Sequence, residues 1–134
     1  MIYTLHMDKN ILAEEFSALM KAVGWGSSYD LNAVAASISA YPFVAHARDE
    51  DAKLIGYVSA FSDGAFSTML GELVVDPSVQ GKGIGRALLG AVEERYRNVP
   101  IYVKPLGKAK MFFIACGYGA PSTEVCVLFK KNEP

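Results

Sequence analysis

Apolar positions along the chain follow two rhythms, and the switches between them mark out its elements. Ile11, Leu12, Phe16, Leu19, Met20 and Val23 recur near helical spacing, which predicts a helix over 10–22 ended by Gly24-Trp25-Gly26. Before it, 2–6 reads as a short strand. Asp30 stands where it would cap a second helix carrying Leu31, Val34, Ala35 and Ile38 on one face, closed by Pro42. The runs 43–48 and 54–61 read as strands around the polar turn Asp49-Glu50-Asp51. Ser62-Asp63-Gly64 makes the next turn, and 65–75 reads as the strand after it. Ile84, Leu88, Leu89, Val92 and Tyr96 line one side of a helix whose other side holds Arg86, Glu93, Glu94, Arg95 and Arg97. Asn98-Val99-Pro100 ends it. Then 101–104 reads as a short strand, 107–115 as a helix and 123–130 as a last strand. The order β-α-α-β-β-β-α-β-α-β is that of a mixed α/β layer. The strand-helix-strand step over 70–104 should form a parallel pair with a right-handed crossover.

Composition narrows the class. A chain of 134 residues suits one domain spanning 1–134 with a core that needs no staples. A net charge of −1 and the lack of a basic tract argue against nucleic acid and against an anionic membrane as partners. Apolar runs fall far short of the roughly 20 residues of a membrane-spanning helix. Met1-Ile2-Tyr3-Thr4-Leu5-His6 has neither the basic region nor the cleavage site of a signal peptide. The two cysteines, Cys116 and Cys126, lack metal-ligand spacing and read as reduced packing residues. His6 and His46, alone in strand-like runs, read as structural. A cytoplasmic protein without a metal is the expectation.

Chemistry concentrates between the strand ending at Val75 and the helix beginning near Ile84. Asp76-Pro77-Ser78 turns the chain, and Gln80-Gly81-Lys82-Gly83-Ile84-Gly85 opens the helix. The first N–H groups of a helix have no internal partner, and the helix dipole adds positive charge there, so the turn is a cradle for phosphate or pyrophosphate. Glycine lets the backbone approach such a ligand closely. The NTPase phosphate loop requires G-x-x-x-x-G-K-[ST], whereas Gly81-Lys82 is followed by Gly83. The dinucleotide fingerprint G-x-G-x-x-G fails because the third glycine, Gly85, comes one residue early and Arg86 takes its place. Near the position of its ribose-binding acid stands Lys104-Pro105.

What fits is V-x-P-x-x-Q-x-x-G-x-G, as Val75, Pro77, Gln80, Gly83 and Gly85. It resembles the acetyl-CoA loop of the GCN5-related N-acetyltransferases (GNAT). Leu73-x-Val75 is similar to that family's fourth strand. Ala109, Phe112, Phe113, Gly117 and Tyr118 resemble its A-x-x-F-Y-x-x-x-G-F segment, and Val23-Gly24-Trp25-Gly26 with Ser62-Asp63-Gly64 resembles small single-domain bacterial members. The resemblance implies a central mixed, mostly antiparallel sheet flanked by helices, with a splayed parallel strand pair at the acetyl-CoA site.

It further implies transfer of an acetyl group from acetyl-CoA to a primary amine of a small molecule or protein. Leu73, Val74 and Val75 would offer backbone to the pantetheine arm. Gln80, Gly81, Lys82, Gly83, Ile84, Gly85 and Arg86 would hold the pyrophosphate, and an N–H near Val74 or Val75 would face the thioester oxygen. An alkyl ammonium with pKa about 10.4 must lose a proton before it attacks, and a carboxylate can take it. Glu72, on the strand beside the thioester in this family, is the candidate base. Asp63 and Asp76 sit in turns that favour aspartate for backbone reasons alone. Trp25 and Tyr29, with Tyr41 and Phe66 in the same regions, are candidates for an aromatic acceptor wall.

The chain departs from the family at two positions. Phe113 stands where a tyrosine usually donates a proton to the leaving thiolate, and Leu106 where an asparagine is common. A thiol of pKa about 8.5 can leave unprotonated, and Tyr118, Tyr102 and Cys116 are other donors in the region. These departures motivate an alternative reading, a non-catalytic acyl-CoA-binding or sensing module. A third is an interaction domain in which the edge strand 125–129 pairs with a second copy, giving a homodimer.

Overall fold

In a computed structural model the chain forms β1 (Thr4–His6), α1 (Ala13–Ala22), α2 (Leu31–Ala40), β2 (Phe43–Arg48), β3 (Leu54–Ser62), β4 (Thr68–Val75), a 3₁₀ turn (Pro77–Val79), α3 (Ile84–Arg95), β5 (Ile101–Tyr102) and α4 (Ala109–Ala115). The structure describes residues 1–26 and 28–132. It divides into two compact units, Met1–Val103 and Lys104–Pro134.

In the first unit five strands lie in the order β1-β2-β3-β4-β5. The first three pairings are antiparallel and β4–β5 is parallel. The helices sort by strand face, as the period-two alternation of side chains requires. Phe16, Leu19 and Met20 of α1 and Val34 and Ile38 of α2 share a core with Val44, Leu54, Tyr57 and Val74 of the sheet. Phe16 meets the Tyr57 ring edge-on at 4.8 Å. On the other face lies α3. A side chain on Gly56 would run into Leu88 at 2.8 Å and Ile84 at 3.2 Å, so this glycine lets the helix sit close against β3.

Capping follows local chemistry. Asp30 accepts from Asn32 N at 2.9 Å and starts α2. Glu15 reaches back to Leu12 N at 3.0 Å and starts α1 at Ala13, three residues later than the expected start at 10. On α2 only Val34 and Ile38 are buried, while Leu31 and Ala35 face solvent. The strand expected over 65–75 begins at Thr68, because Asp63 Oδ1 takes the N–H groups of Ala65, Phe66 and Ser67 into a turn.

The second unit holds α4, where Phe113 packs edge-on against Phe112 at 5.2 Å and Tyr118 at 5.6 Å. The strand expected over 123–130 is a correction. Through residue 132 this segment forms no ladder, and Val125, Val127, Leu128 and Phe129 are exposed. Apolar β-branched residues describe a strand's surface, whereas its existence depends on a hydrogen-bonding neighbour.

Candidate functional site

The parallel ladder joining β4 to β5 consists of Thr68↔Ile101 and Met69↔Tyr102. Beyond it β4 runs on through Leu70 to Val75, while β5 ends at Tyr102. The pair is therefore splayed where the sequence reading expected it, and β4 keeps an edge with no strand partner among the described residues. Along this stretch Val74 points into the α1/α2 core, and Leu73, opposite Val58, points to the α3 face. What both offer at the free edge is backbone.

At the end of β4, Asp76 N donates to Ile55 O at 2.9 Å. The Asp76 carboxylate accepts from Ser78 N at 2.9 Å and from its hydroxyl at 2.8 Å, with Lys53 Nζ at 3.6 Å. Burial alone would push this carboxyl up, but the bonds from Ser78 and the Lys53 charge outweigh it and hold it below the ordinary range. Asp76 thus shapes the turn. Asp63, drawn low by the three N–H groups it accepts, does the same for its own turn. Gln80 Nε2 donates to Val75 O at 3.1 Å, so the glutamine ties the loop back to the strand.

Gly81 and Gly83 have φ of +79° and +86°, a left-handed conformation that favours glycine. Gly83 is the N-cap of α3, and among the described residues no side chain caps that end. Among the described residues, adjoining ones apart, no atom lies within 4 Å of where a β-carbon on either glycine would stand, so the mouth of the loop is open. The open N-terminus of α3, with Lys82 and Arg86 exposed beside it, fits a pyrophosphate. Ile84 itself is buried and can contribute only its backbone. Together, the loop and the splayed edge fit the phosphate and the amide-bearing arm of a coenzyme A thioester.

Glu72 is half-buried on β4, on the α1/α2 face. Ser59 donates its hydroxyl proton to Glu72 Oε2, and Glu72 N donates to Ser59 Oγ at 3.0 Å. The Tyr41 phenol interacts with both residues. Burial, reinforced by the Glu72 charge, pushes the Tyr41 hydroxyl up, so it is a donor at neutral pH. Tyr57 is pushed up by burial for the same reason, and its fully buried hydroxyl has no hydrogen-bond partner among the described residues. Tyr41 stacks on Phe61 at 4.4 Å with the rings tilted by 37°, and Phe61 is half-exposed.

The aromatic candidates separate. Tyr29 donates its hydroxyl to Trp25 O at 2.5 Å, which ties the two together in the connection between α1 and α2. Trp25 is 45% exposed and Phe66, at the tip of the β3–β4 turn, is 82% exposed. The residue beside Glu72 is instead Tyr41. Sequence reasoning missed Ser59 and Tyr57 at this place. The available signal was a lone serine inside the apolar run 54–61, facing a strand that carries a glycine next to a glutamate.

The chain is matched over residues 10–117 by the acetyltransferase (GNAT) family. It is 27% identical over 100 residues to an uncharacterized N-acetyltransferase from Pyropia yezoensis, covering 72% of this chain and 57% of that protein. It is 32% identical over 85 residues to a histone acetyltransferase from Glycine max, covering 48% of this chain and 37% of that one. The chain thus spans little more than half the length of the first relative and about a third of the second. A GNAT-family acetyltransferase structure from Streptococcus pneumoniae shares the fold with a TM-score of 0.76 at 24% identity, covering 98% of both chains. A protein structure from meticillin-resistant Staphylococcus aureus does so with a TM-score of 0.84 at 18% identity, covering 98% of this chain and 100% of that one. With the family's loop sequence, its splayed strand pair and a family match across most of its length, this chain belongs to the GNAT acetyltransferase family.

Proposed function

We propose that this chain is an acetyl-CoA-dependent N-acetyltransferase that acts on a primary amine of a small molecule or protein. The observation that carries the reading is the continuity of one segment. β4 leaves its parallel partner after Met69, bears Glu72 in the splayed stretch and ends in a loop whose left-handed glycines open the N-terminus of α3. When bound, acetyl-CoA supplies the activated acyl group as a thioester.

The residues of the chain do the rest. N–H groups from Gly81 to Arg86 take the pyrophosphate, with Lys82 adding positive charge. Leu73, Val74 and Val75 align the pantetheine arm through the strand edge. Glu72 accepts the proton of the acceptor ammonium, directly or through one water. Trp25 and Tyr29 are retained as part of an aromatic acceptor wall, with the Tyr29 hydroxyl engaged by Trp25 O. Phe113 has no proton to give, so the thiolate leaves unprotonated or takes its proton from another group. We place the protein in the cytoplasm as a single domain; no helix among the described residues is long and apolar enough to cross a membrane. A homodimer is compatible with this reading.

Thermal unfolding with acetyl-CoA, CoA and NAD⁺ tests the cofactor. A ligand at about 100 times its dissociation constant adds about 2.7 kcal/mol, a shift of several degrees in a domain of this size. We expect a shift with both CoA species and none with NAD⁺. No shift with either CoA species overturns the reading. Thiol release from acetyl-CoA with tyramine, spermidine, glucosamine 6-phosphate and an alanine-terminated peptide then tests turnover. Phe113 and Leu106 favour the second reading, a binding or sensing module. In that case Glu72→Gln and the parent bind acetyl-CoA alike and neither releases thiol.

A further inference from the structure

β3 carries one serine inside its apolar stretch 54–61, and its hydroxyl bonds both the backbone and the carboxylate of Glu72. Ser59 is fully buried. The register between β3 and β4 slips beside it. Val58 faces Leu73 and Ala60 faces Leu70, so Gly71 and Glu72 together oppose Ser59. Such a bulge removes one amide from the ladder and re-aims the side chain next to it. Ser59 Oγ accepts from the displaced amide, Glu72 N, at 3.0 Å. That bond leaves the hydroxyl proton for Glu72 Oε2, which receives it. One hydroxyl therefore closes a ring with both the backbone and the carboxylate of the same residue.

The surroundings leave the ring no slack. A β-carbon on Gly71 would lie 2.5 Å from Ser59 Oγ and 2.5 Å from Tyr41 Oη. The missing side chain lets the Tyr41 phenol close over the bulge. A glutamate on a strand ordinarily samples several rotamers, and ordering it costs side-chain entropy. Here the fold has met that cost before any substrate arrives.

We propose that Ser59 is a positioning residue for Glu72, holding its carboxylate in one orientation for proton transfer from the acceptor amine. The proposal rests on the reading of Glu72 as the base. Ser59 touches neither donor nor acceptor and acts through the carboxylate, with Gly71 and Tyr41 keeping the bulge closed around it.

The experiment compares the parent, Ser59→Ala, Ser59→Cys and Glu72→Gln. Each is assayed for kcat, acceptor KM and acetyl-CoA affinity, because a residue that only positions the base lowers kcat without weakening binding. With tyramine or spermidine as acceptor, kcat should fall about 10- to 100-fold in Ser59→Ala, a part of the 10²–10⁴ that a positioned base contributes. Acetyl-CoA affinity and acceptor KM should stay at parent values. Ser59→Cys keeps the volume with a weaker donor and should lie between. It carries the test if Ser59→Ala does not fold. An undiminished kcat in Ser59→Ala and Ser59→Cys, or a loss confined to KM, overturns the proposal while leaving the acetyltransferase reading intact. Full turnover in Glu72→Gln overturns the base assignment, and the positioning role with it.

Discussion

The Tyr41 hydroxyl occupies the space that a side chain on Gly71 would need: a β-carbon there would stand 2.5 Å from Tyr41 Oη and 2.5 Å from its ring carbon Cε1. The backbone of Gly71 is ordinary, so the requirement for glycine at this position is one of room. Gly71→Ala should cost about 1–3 kcal/mol, the usual range for overpacking. Removing the ring should recover part of the loss, so Tyr41→Ala and Gly71→Ala should couple in a double-mutant cycle by chemical denaturation. Additive costs would mean that the two residues do not compete for this space.

Gly83 poses the opposite requirement. There is room for a side chain, but φ is +86°. Gly83→Ala should lose about 1 kcal/mol from the left-handed backbone alone. Since this residue caps α3, the acetyl-CoA-dependent shift in thermal midpoint should shrink more than stability does. An undiminished shift would show that the ligand's phosphates bind elsewhere.

Arg48 ties α1 to the sheet. Its guanidinium meets both Glu15 oxygens at 2.6 Å and also donates to Asn10 O at 3.0 Å and Ala52 O at 3.1 Å. Both partners are largely shielded from water, and the planar fork is geometry that lysine cannot reproduce. Arg48→Lys should lower the unfolding free energy by about 2 kcal/mol, read as a shift in urea midpoint at constant slope. Acetyl-CoA binding should be unaffected, because this pair lies at the β1–β2 side of the sheet.

His46 sets one pH dependence of stability. Burial lowers its pKa, and Asp8, whose Oδ1 lies 2.7 Å from His46 Nε2, only partly offsets this. Arg48 Nε donates to His46 Nδ1 at 3.3 Å, so a second proton would face a cation, and the His6 ring is stacked at 5.0 Å. The folded value lies below the unfolded one of about 6.5, so between the two the unfolded chain binds more protons. Stability from this residue is complete above about pH 6.5 and falls as pH drops toward the folded value. His46→Gln should flatten that slope. The loss from Glu15, whose carboxyl is held low by Arg48, should remain at more acid pH, whereas that from Asp8, held low chiefly by His46, should shrink in the same variant.

Local patterns made most of the first unit legible. Strand β2 matches its apolar run over 43–48, and α3 buries Ile84, Leu88, Leu89 and Val92 as its spacing required. The glycine loop was readable because its residue types answer a backbone need that exists at one place in the chain. The final strand was misread because residues 123–130 have a strand's composition but pair with no ladder. Trp25 and Tyr29 drew attention as aromatics, yet the side chains gathered at Glu72 are Tyr41, Ser59 and Tyr57, from α2's end and the neighbouring strand.

By itself the sequence determined most of the helices and strands of the first unit and where a phosphate would meet a helix N-terminus, because each depends on residues close together in the chain. The tertiary structure alone decided that β4 slips against β3 at Gly71 and Glu72, that Ser59 then has a displaced amide and a carboxylate to satisfy, and that Tyr41 closes over both. Those contacts join residues distant in sequence, and their geometry follows from a register slip that neither strand's own pattern encodes.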